Sequence, residues 1–281
     1  MKFRQDTLYV SDLDGTLLGP DARIPDEALE RLNALLDAGL PFTVATARSW
    51  TSAKPLLKGL RLRLPMVGYN GAFIVDPVTG RDVERCVLER AQMERVMAAY
   101  LKHGIAPMVF ALVEGEQKVS WVRGLETSGI RRYKESRKGD PRLNPVETTE
   151  ELYRGDVFYF SPLGTKEELE SAVEDLAALD FAHLTFAADT YDPEEYWLET
   201  ARADATKAQG VDRLRRITGK QRIVCFGDNL NDLPMFAVAD EAYAVANAKD
   251  EVKAAATGVI GSNVQMGVVR FLTENAVLEE E

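Results

Sequence analysis

A short apolar run, Thr7-Leu8-Tyr9-Val10, leads into Asp12-Leu13-Asp14-Gly15-Thr16, and this stretch constrains the fold more than any other. β-branched and aromatic residues in so short a run read as a buried strand, and Gly15 reads as the turn that ends it. Two carboxylates two residues apart at a strand end then share one small space. Like charges that close raise one another's pKa unless a cation neutralises them. The arrangement implies a hard metal ion, a carboxylic acid with a raised pKa, or both. A second acidic motif, Gly227-Asp228-Asn229-Leu230-Asn231-Asp232, follows a second apolar run, Ile223-Val224-Cys225-Phe226.

The rest of the chain alternates in a way that frames these strands. Ile24-Pro25-Asp26-Glu27 opens a helix with Leu29, Leu32, Leu35 and Leu36 at helical spacing, and Gly39 stops it. A strand from Pro41 to Ala45 ends at Thr46-Ala47-Arg48; a short helix covers about residues 50–59; a third strand from Leu64 to Tyr69 ends at Asn70-Gly71. Strand–helix alternation of this kind predicts a parallel sheet with right-handed crossovers. The pattern then changes to a hairpin around the turn Asp76 to Gly80, followed by a helix at 90–102 and strands at 107–113 and 118–122. A basic helix, a strand at 157–160, a helix at 166–179 and a strand at 183–187 complete an α+β module.

The βα pattern resumes at Tyr196-Trp197-Leu198-Glu199 and continues with a helix carrying Lys207, Val211, Leu214 and Ile217 that stops at Gly219; a short helix holding Leu233, Met235 and Phe236, short strands near 243–245 and 259–260, and a terminal helix close the chain. The reading is therefore an α/β fold, a doubly wound parallel sheet formed by residues 1–83 and 191–281, with residues 84–190 as an inserted α+β domain. The acidic end, Leu278-Glu279-Glu280-Glu281, is expected to fray.

Composition removes several chemistries. A net charge of −11 over 281 residues argues against a nucleic-acid partner, whose phosphates need a basic face. No apolar stretch reaches the ~18 residues of a membrane span, and Met1 to Asp6 lacks the apolar core of a signal peptide, so a cytoplasmic protein is expected. Cys86 and Cys225 stand far apart with no metal-ligand spacing, and Cys225 reads as a core residue. The two histidines, His103 and His183, lie beside no motif, and no glycine-rich phosphate loop ending in Gly-Lys-Ser/Thr is present. Acid–base chemistry falls to carboxylates.

In an open parallel sheet, ligands bind beyond the carboxyl ends of the strands. Asp12, Thr46, Asn70 and Asp228 fall at four such ends, and Lys207 begins the helix before the Asp228 strand. Singly these are ordinary residues: a strand-end threonine, a solvated lysine, an Asn-Gly turn. Together they suit phosphoryl transfer, in which positioning and charge neutralisation dominate. Asp12 would attack phosphorus; Asp14 would protonate the leaving oxygen and later deprotonate water. Thr46 would donate to a phosphoryl oxygen and Lys207 would balance its charge. Asp12, the Asp14 main-chain carbonyl and Asp228 would ligate Mg²⁺. Asp232 would ligate it directly or through water, and Asn231 would face the phosphate.

These motifs together resemble those of the haloacid dehalogenase superfamily of phosphohydrolases, in particular its Cof-type branch. The resemblance is carried by Asp12-Leu13-Asp14-Gly15-Thr16, Thr46, Lys207, and Gly227-Asp228 with Asn231-Asp232; Tyr69-Asn70-Gly71-Ala72 is similar to an element of the same branch. It implies a small phosphorylated metabolite as substrate, a sugar phosphate among the candidates, an aspartyl-phosphate intermediate, Mg²⁺ as cofactor, and a C2-type cap in the inserted domain. Gly15, Ala47, Arg48 and Asn70 join Thr46, Lys207 and Asn231 as phosphate- or substrate-binding positions on the same ground. Trp121, Arg123 and the basic stretch Arg131 to Lys138 become candidates for cap contacts.

Two positions depart from the branch pattern. Ala47 stands where glycine is usual; a backbone needing positive φ there would strain it by roughly 1–2 kcal/mol. Lys207 lies in Asp204-Ala205-Thr206-Lys207-Ala208 rather than a Val-Ser-Lys-Gly context. The same nucleophile would also serve a phosphomutase or phosphotransferase, and an acid cluster with Thr and Lys also occurs in phospho-acceptor signalling domains. Those need only ~120 residues and place no acid two residues past the nucleophile.

Overall fold

The computed structural model describes residues 3–189 and 192–276. Leu278 to Glu281 and the expected boundary at 190/191 lie outside the described residues. The chain runs through β1 (Thr7–Ser11), α1 (Asp26–Asp37), β2 (Phe42–Val44), α2 (Trp50–Ala53), β3 (Met66–Gly68), β4 (Phe73–Val75) and β5 (Asp82–Arg85). It continues with α3 (Arg90–Lys102), β6 (Met108–Val113), β7 (Glu116–Val122), α4 (Ser128–Ser136), β8 (Leu143–Val146), β9 (Asp156–Ser161), β10 (Leu163–Thr165), α5 (Lys166–Leu169), α6 (Val173–Ala177), β11 (Ala182–Ala188) and β12 (Glu195–Arg202). It closes with α7 (Lys207–Thr218), β13 (Arg222–Gly227), α8 (Leu233–Val238), β14 (Glu241–Val245), α9 (Asp250–Ala255), β15 (Gly258–Ile260) and α10 (Gly267–Asn275). Two compact units result, Met1–Arg85 with Ala205–Glu281, and Cys86–Asp204.

The first unit is built on a parallel five-stranded sheet in the order β15-β14-β13-β1-β2. All of β1 and nearly all of β13 are buried, as a sheet covered on both faces requires. The expected third parallel strand is reduced to a single bridge between Ala45 and Val67. β3 instead pairs antiparallel with β4, which pairs with β5, because the chain folds straight back on itself at Tyr69–Gly71. The helix expected at 50–59 stops at Ala53: Pro55 has no amide proton to continue it, and the chain passes on through turns to Gly59.

In the second unit a sheet in the order β10-β12-β9-β6-β7-β8, with β11 added on β12, is antiparallel except between β7 and β8. Val96, Met97 and Tyr100 of α3, Leu169 of α5 and Leu176 of α6 form a core with Val109, Phe160 and Leu198 of the sheet. The helix expected at 166–179 is interrupted by a 3₁₀ turn at Glu170–Ala172.

β12 corrects the sequence reading. Tyr196 to Glu199 does not resume the parallel domain; it pairs with β11 over seven residues and with β9 and β10. Leu198 is fully buried in this second core, and its carbonyl accepts the Tyr100 hydroxyl at 2.8 Å. The boundaries therefore fall at 85/86 and 204/205, not 83/84 and 190/191. An antiparallel strand exchanges its hydrogen bonds with distant partners, which local patterning does not reveal.

Candidate active site

β1 and β13 are adjacent and in register, Ser11 opposite Phe226, so the residues that follow them emerge side by side. The Asp12 amide donates to the Phe226 carbonyl at 2.9 Å, which extends the ladder one step into the motif. The third participant arrives from α7. Thr206 caps this helix by accepting from the Gln209 amide, so Lys207 occupies its first turn. Two glycines bring that end close to β3: a Cβ on Gly71 would run into the Thr206 backbone, and one on Gly210 into Val67. The Lys207 ammonium consequently reaches Asp12 Oδ1 at 2.5 Å and Asp232 Oδ1 at 2.6 Å, with its side chain wholly buried. Asp232 folds back on its own loop, its Oδ2 accepting the amides of Asp228 and Asn229 at 2.9 and 3.0 Å.

Asp12, Asp228 and Asp232 each offer an oxygen within 4.8 Å of the others. Burial raises the Asp12 pKa well above its ordinary value; Lys207 opposes the shift, while Asp232 and Asp228 add to it. Asp228 is pushed up to about 6, first by burial and then by Asp232. For Lys207 burial pulls the other way, but Asp12 and Asp232 outweigh it and hold the ammonium above its usual range. Three carboxylates against one ammonium leave two negative charges uncompensated when all are ionised. Hard oxygen donors with that residual charge fit a divalent cation such as Mg²⁺.

Asp14 takes a different position from the one its spacing suggests. Its half-exposed carboxylate does not join the three acids but pairs with Arg48, Nε to Oδ2 at 2.7 Å and Nη2 to Oδ1 at 2.6 Å. The neighbours that raise Asp12 come from the second motif. Gly15 adopts φ +77°, and a side chain there would overlap the Asp228 carboxylate. Thr46 is fully buried; its hydroxyl oxygen accepts the Arg48 amide at 3.1 Å and its carbonyl accepts the Asn70 amide at 3.0 Å. Ala47 is exposed and is not among the non-glycine residues with positive φ, so it carries no strain. Asn70, at φ 51°, accepts from the Asn231 amide at 3.3 Å, which joins the third strand end to the second acidic motif.

Four supporting residues escaped the sequence reading. Thr16 donates to Asp228 Oδ1 at 3.0 Å. Asn247 donates to the Gly15 carbonyl at 2.7 Å and accepts the Asn263 amide at 2.9 Å, while the Asn263 side chain donates to the Leu18 carbonyl at 2.9 Å. Gly71 makes room for the start of α7. Thr16 and Gly71 lie within the Asp12–Thr16 and Tyr69–Ala72 motifs; Asn247 and Asn263 carry no local signal, since they bond to a loop more than 230 positions away.

Residues 9–272 match the haloacid dehalogenase-like hydrolase family. The chain belongs to that family. It is 28% identical, over 94% of this chain and 96% of the relative, to the 5-amino-6-(5-phospho-D-ribitylamino)uracil phosphatase YwtE of Bacillus subtilis. It is 23% identical, over 95% and 97%, to the pyridoxal phosphate phosphatase YbhA of Escherichia coli. A solved haloacid dehalogenase-like hydrolase from Bacteroides thetaiotaomicron superposes with a TM-score of 0.74 at 21% identity, covering 95% of this chain and 98% of that one. Among the described residues of this hydrolase, no helix is long and apolar enough to cross a membrane.

The positions considered for cap contacts are largely committed within the second unit of the hydrolase. Trp121 is buried, donates to Glu126 at 3.1 Å and lies under the Lys134 ammonium. Arg123 pairs with Glu147 at 2.8 Å. In the basic stretch, Arg131 donates to the Glu126 carbonyl, Arg132 pairs with buried Glu195, Lys134 with Glu126, and Arg137 covers the Tyr133 ring. An anion landing there would have to compete with these partners.

Proposed function

We propose that this hydrolase is a Mg²⁺-dependent phosphatase that cleaves a small phosphorylated metabolite through an aspartyl phosphate at Asp12. The observation that carries the reading is Lys207, buried between Asp12 and Asp232 with Asp228 beside them. Such a cluster suits a transferring phosphoryl group, where charge neutralisation and positioning supply the catalysis. The names of the relatives, phosphatases of a phosphoribitylamino uracil and of pyridoxal phosphate, support a small phosphate monoester; sugar phosphates belong in the same test.

Asp12 attacks phosphorus, and the bond to the leaving oxygen breaks as its proton comes from Asp14. Asp14 then takes a proton from the water that releases phosphate from Asp12. Thr46, whose hydroxyl proton has no acceptor among the described residues, donates to a phosphoryl oxygen, and Lys207 balances its charge. Asp12, the Asp14 main-chain carbonyl and Asp228 would hold Mg²⁺. Asp232, whose oxygens also accept from Lys207 and two loop amides, would join them directly or through water. When bound, the ion supplies charge neutralisation for the phosphoryl oxygens. Substrate choice is assigned to Cys86–Asp204, since every proposed catalytic residue lies in the other unit.

The test is phosphate release over a panel of phosphorylated metabolites with excess Mg²⁺, repeated with chelator and with Asp12→Asn. Turnover should need Mg²⁺ and vanish in the variant while its circular dichroism stays the same. Near-full activity of Asp12→Asn, or an isomerised product without free phosphate, would overturn the proposal.

A further inference from the structure

We propose that the first unit carries a second ligand site, separate from the acid cluster, for a small amphipathic organic anion. It is a cavity of about 390 Å³ formed by residues 50–62 and the turn between β4 and β5. Trp50, Leu57, Leu60 and Leu62 give it an apolar wall, and its only charged lining residues are Lys54 and Lys58. That volume falls within the range of small-molecule sites, and apolar walls with a few polar groups are their usual composition.

The local chain explains why the cavity exists. Pro55 ends α2 after one turn, so residues 54–59 continue as turns rather than as a helix laid flat on the hairpin. The indole of Trp50 is held against the β4–β5 turn: a Cβ on Gly80 would lie 2.8 Å from its Nε1. Leu57 and Leu62, only 6% and 7% exposed, form the floor. Lys54 and Lys58 are exposed at the rim.

Charge identifies the occupant. The arginines of the same stretch are all committed, Arg48 to Asp14 and both Arg61 and Arg63 to Asp37. Lys54 and Lys58 have no ion-pair partner among the described residues, in a chain of net charge −11. Two uncommitted ammonium groups beside an aromatic and aliphatic wall fit a ligand with an apolar ring body and one or two anionic groups. An ammonium acts as a point charge, so carboxylate, sulfonate and phosphate would all serve.

The experiment titrates the full-length protein with 8-anilinonaphthalene-1-sulfonate while following the indole N–H resonances by NMR, the Trp50 signal being assigned with Trp50→Phe. The Trp50 resonance should move saturably. Lys54→Glu/Lys58→Glu should weaken binding about tenfold or more with an unchanged urea midpoint, while the double arginine variant keeps it. Binding that leaves the Trp50 resonance in place, affinity indifferent to the charge reversal, or no saturable binding would each overturn the proposal. Because both lysines are exposed, a failure to fold cannot mask the result.

Discussion

Arg48 holds both oxygens of Asp14 across 34 positions of sequence, so a half-exposed carboxylate that would otherwise rotate freely is fixed in one orientation. A planar guanidinium fork imposes direction as well as charge. For a group proposed to hand a proton to a leaving oxygen, orientation is a large part of its effectiveness.

Asp14→Asn should therefore lose on the order of 10²–10⁴-fold in turnover of an alkyl phosphate. With an activated aryl phosphate the first step needs little protonation, so phosphorylated enzyme should form and accumulate. Arg48→Ala should show the same leaving-group pattern in milder form. Rapid-quench measurement of the phosphorylation step checks this; equal losses for both substrates would contradict it.

Lys207→Met should destabilise the protein by about 3–5 kcal/mol at neutral pH without Mg²⁺, because it strips the ammonium from two buried carboxylates. Urea unfolding reads the change. A loss under ~1 kcal/mol would mean the acids are already neutral in the folded state and the ion-pair description is wrong.

Asp228 predicts a pH dependence of stability in the metal-free protein. Its carboxyl rises from an ordinary 3.8 to about 6 on folding, chiefly through burial. A raised acid makes the folded state bind the extra proton, so this group's contribution is greatest at low pH and is lost as pH rises through about 6. Allowing for the solvent around a half-buried side chain, the change is ~1–2 kcal/mol. Asp228→Asn should remove it, as judged by urea midpoints between pH 4 and 7 in chelator. Stabilisation by added Mg²⁺ should run the opposite way and grow above about pH 6, since the ion requires the ionised carboxylate.

Gly71→Ala tests the placement of α7. The position has φ +111°, and the new methyl would overlap the Thr206 backbone, so both strain and displacement follow. Gly219, at φ +68° with open space around it, supplies the control. Gly219→Ala should cost about 1–2 kcal/mol and leave activity intact. Gly71→Ala should cost more and also reduce turnover of the folded fraction, because Lys207 is the next residue after Thr206. Equal effects of the two substitutions would remove Gly71 from the site's support.

Much of the site was legible because its chemistry is local. Asp12, Asp228 and Asp232 each follow or lie within a few residues of a buried strand end, and adjacent parallel strands deliver such ends to one edge. The β1 and β13 strands, the helix beginning at Lys207 and the Gly219 stop could be read from periodicity and turn chemistry alone. Local patterning thus suffices for the α/β class, the acidic strand ends, and the residue types available for phosphoryl chemistry. Long-range packing, by contrast, turns Asp14 toward Arg48 rather than the acid cluster, ties Asp232 to Lys207 and its own loop, and commits Trp121 and most of the basic stretch to internal partners. It also moved β12 into the second unit's sheet and brought Asn247 and Asn263 to the first loop. One cause is common to these cases. A side chain's partner is chosen by proximity in space, and pairings such as Leu198 with Tyr100 or Asn263 with Leu18 span distances in sequence over which no hydrophobic period or turn signal carries information.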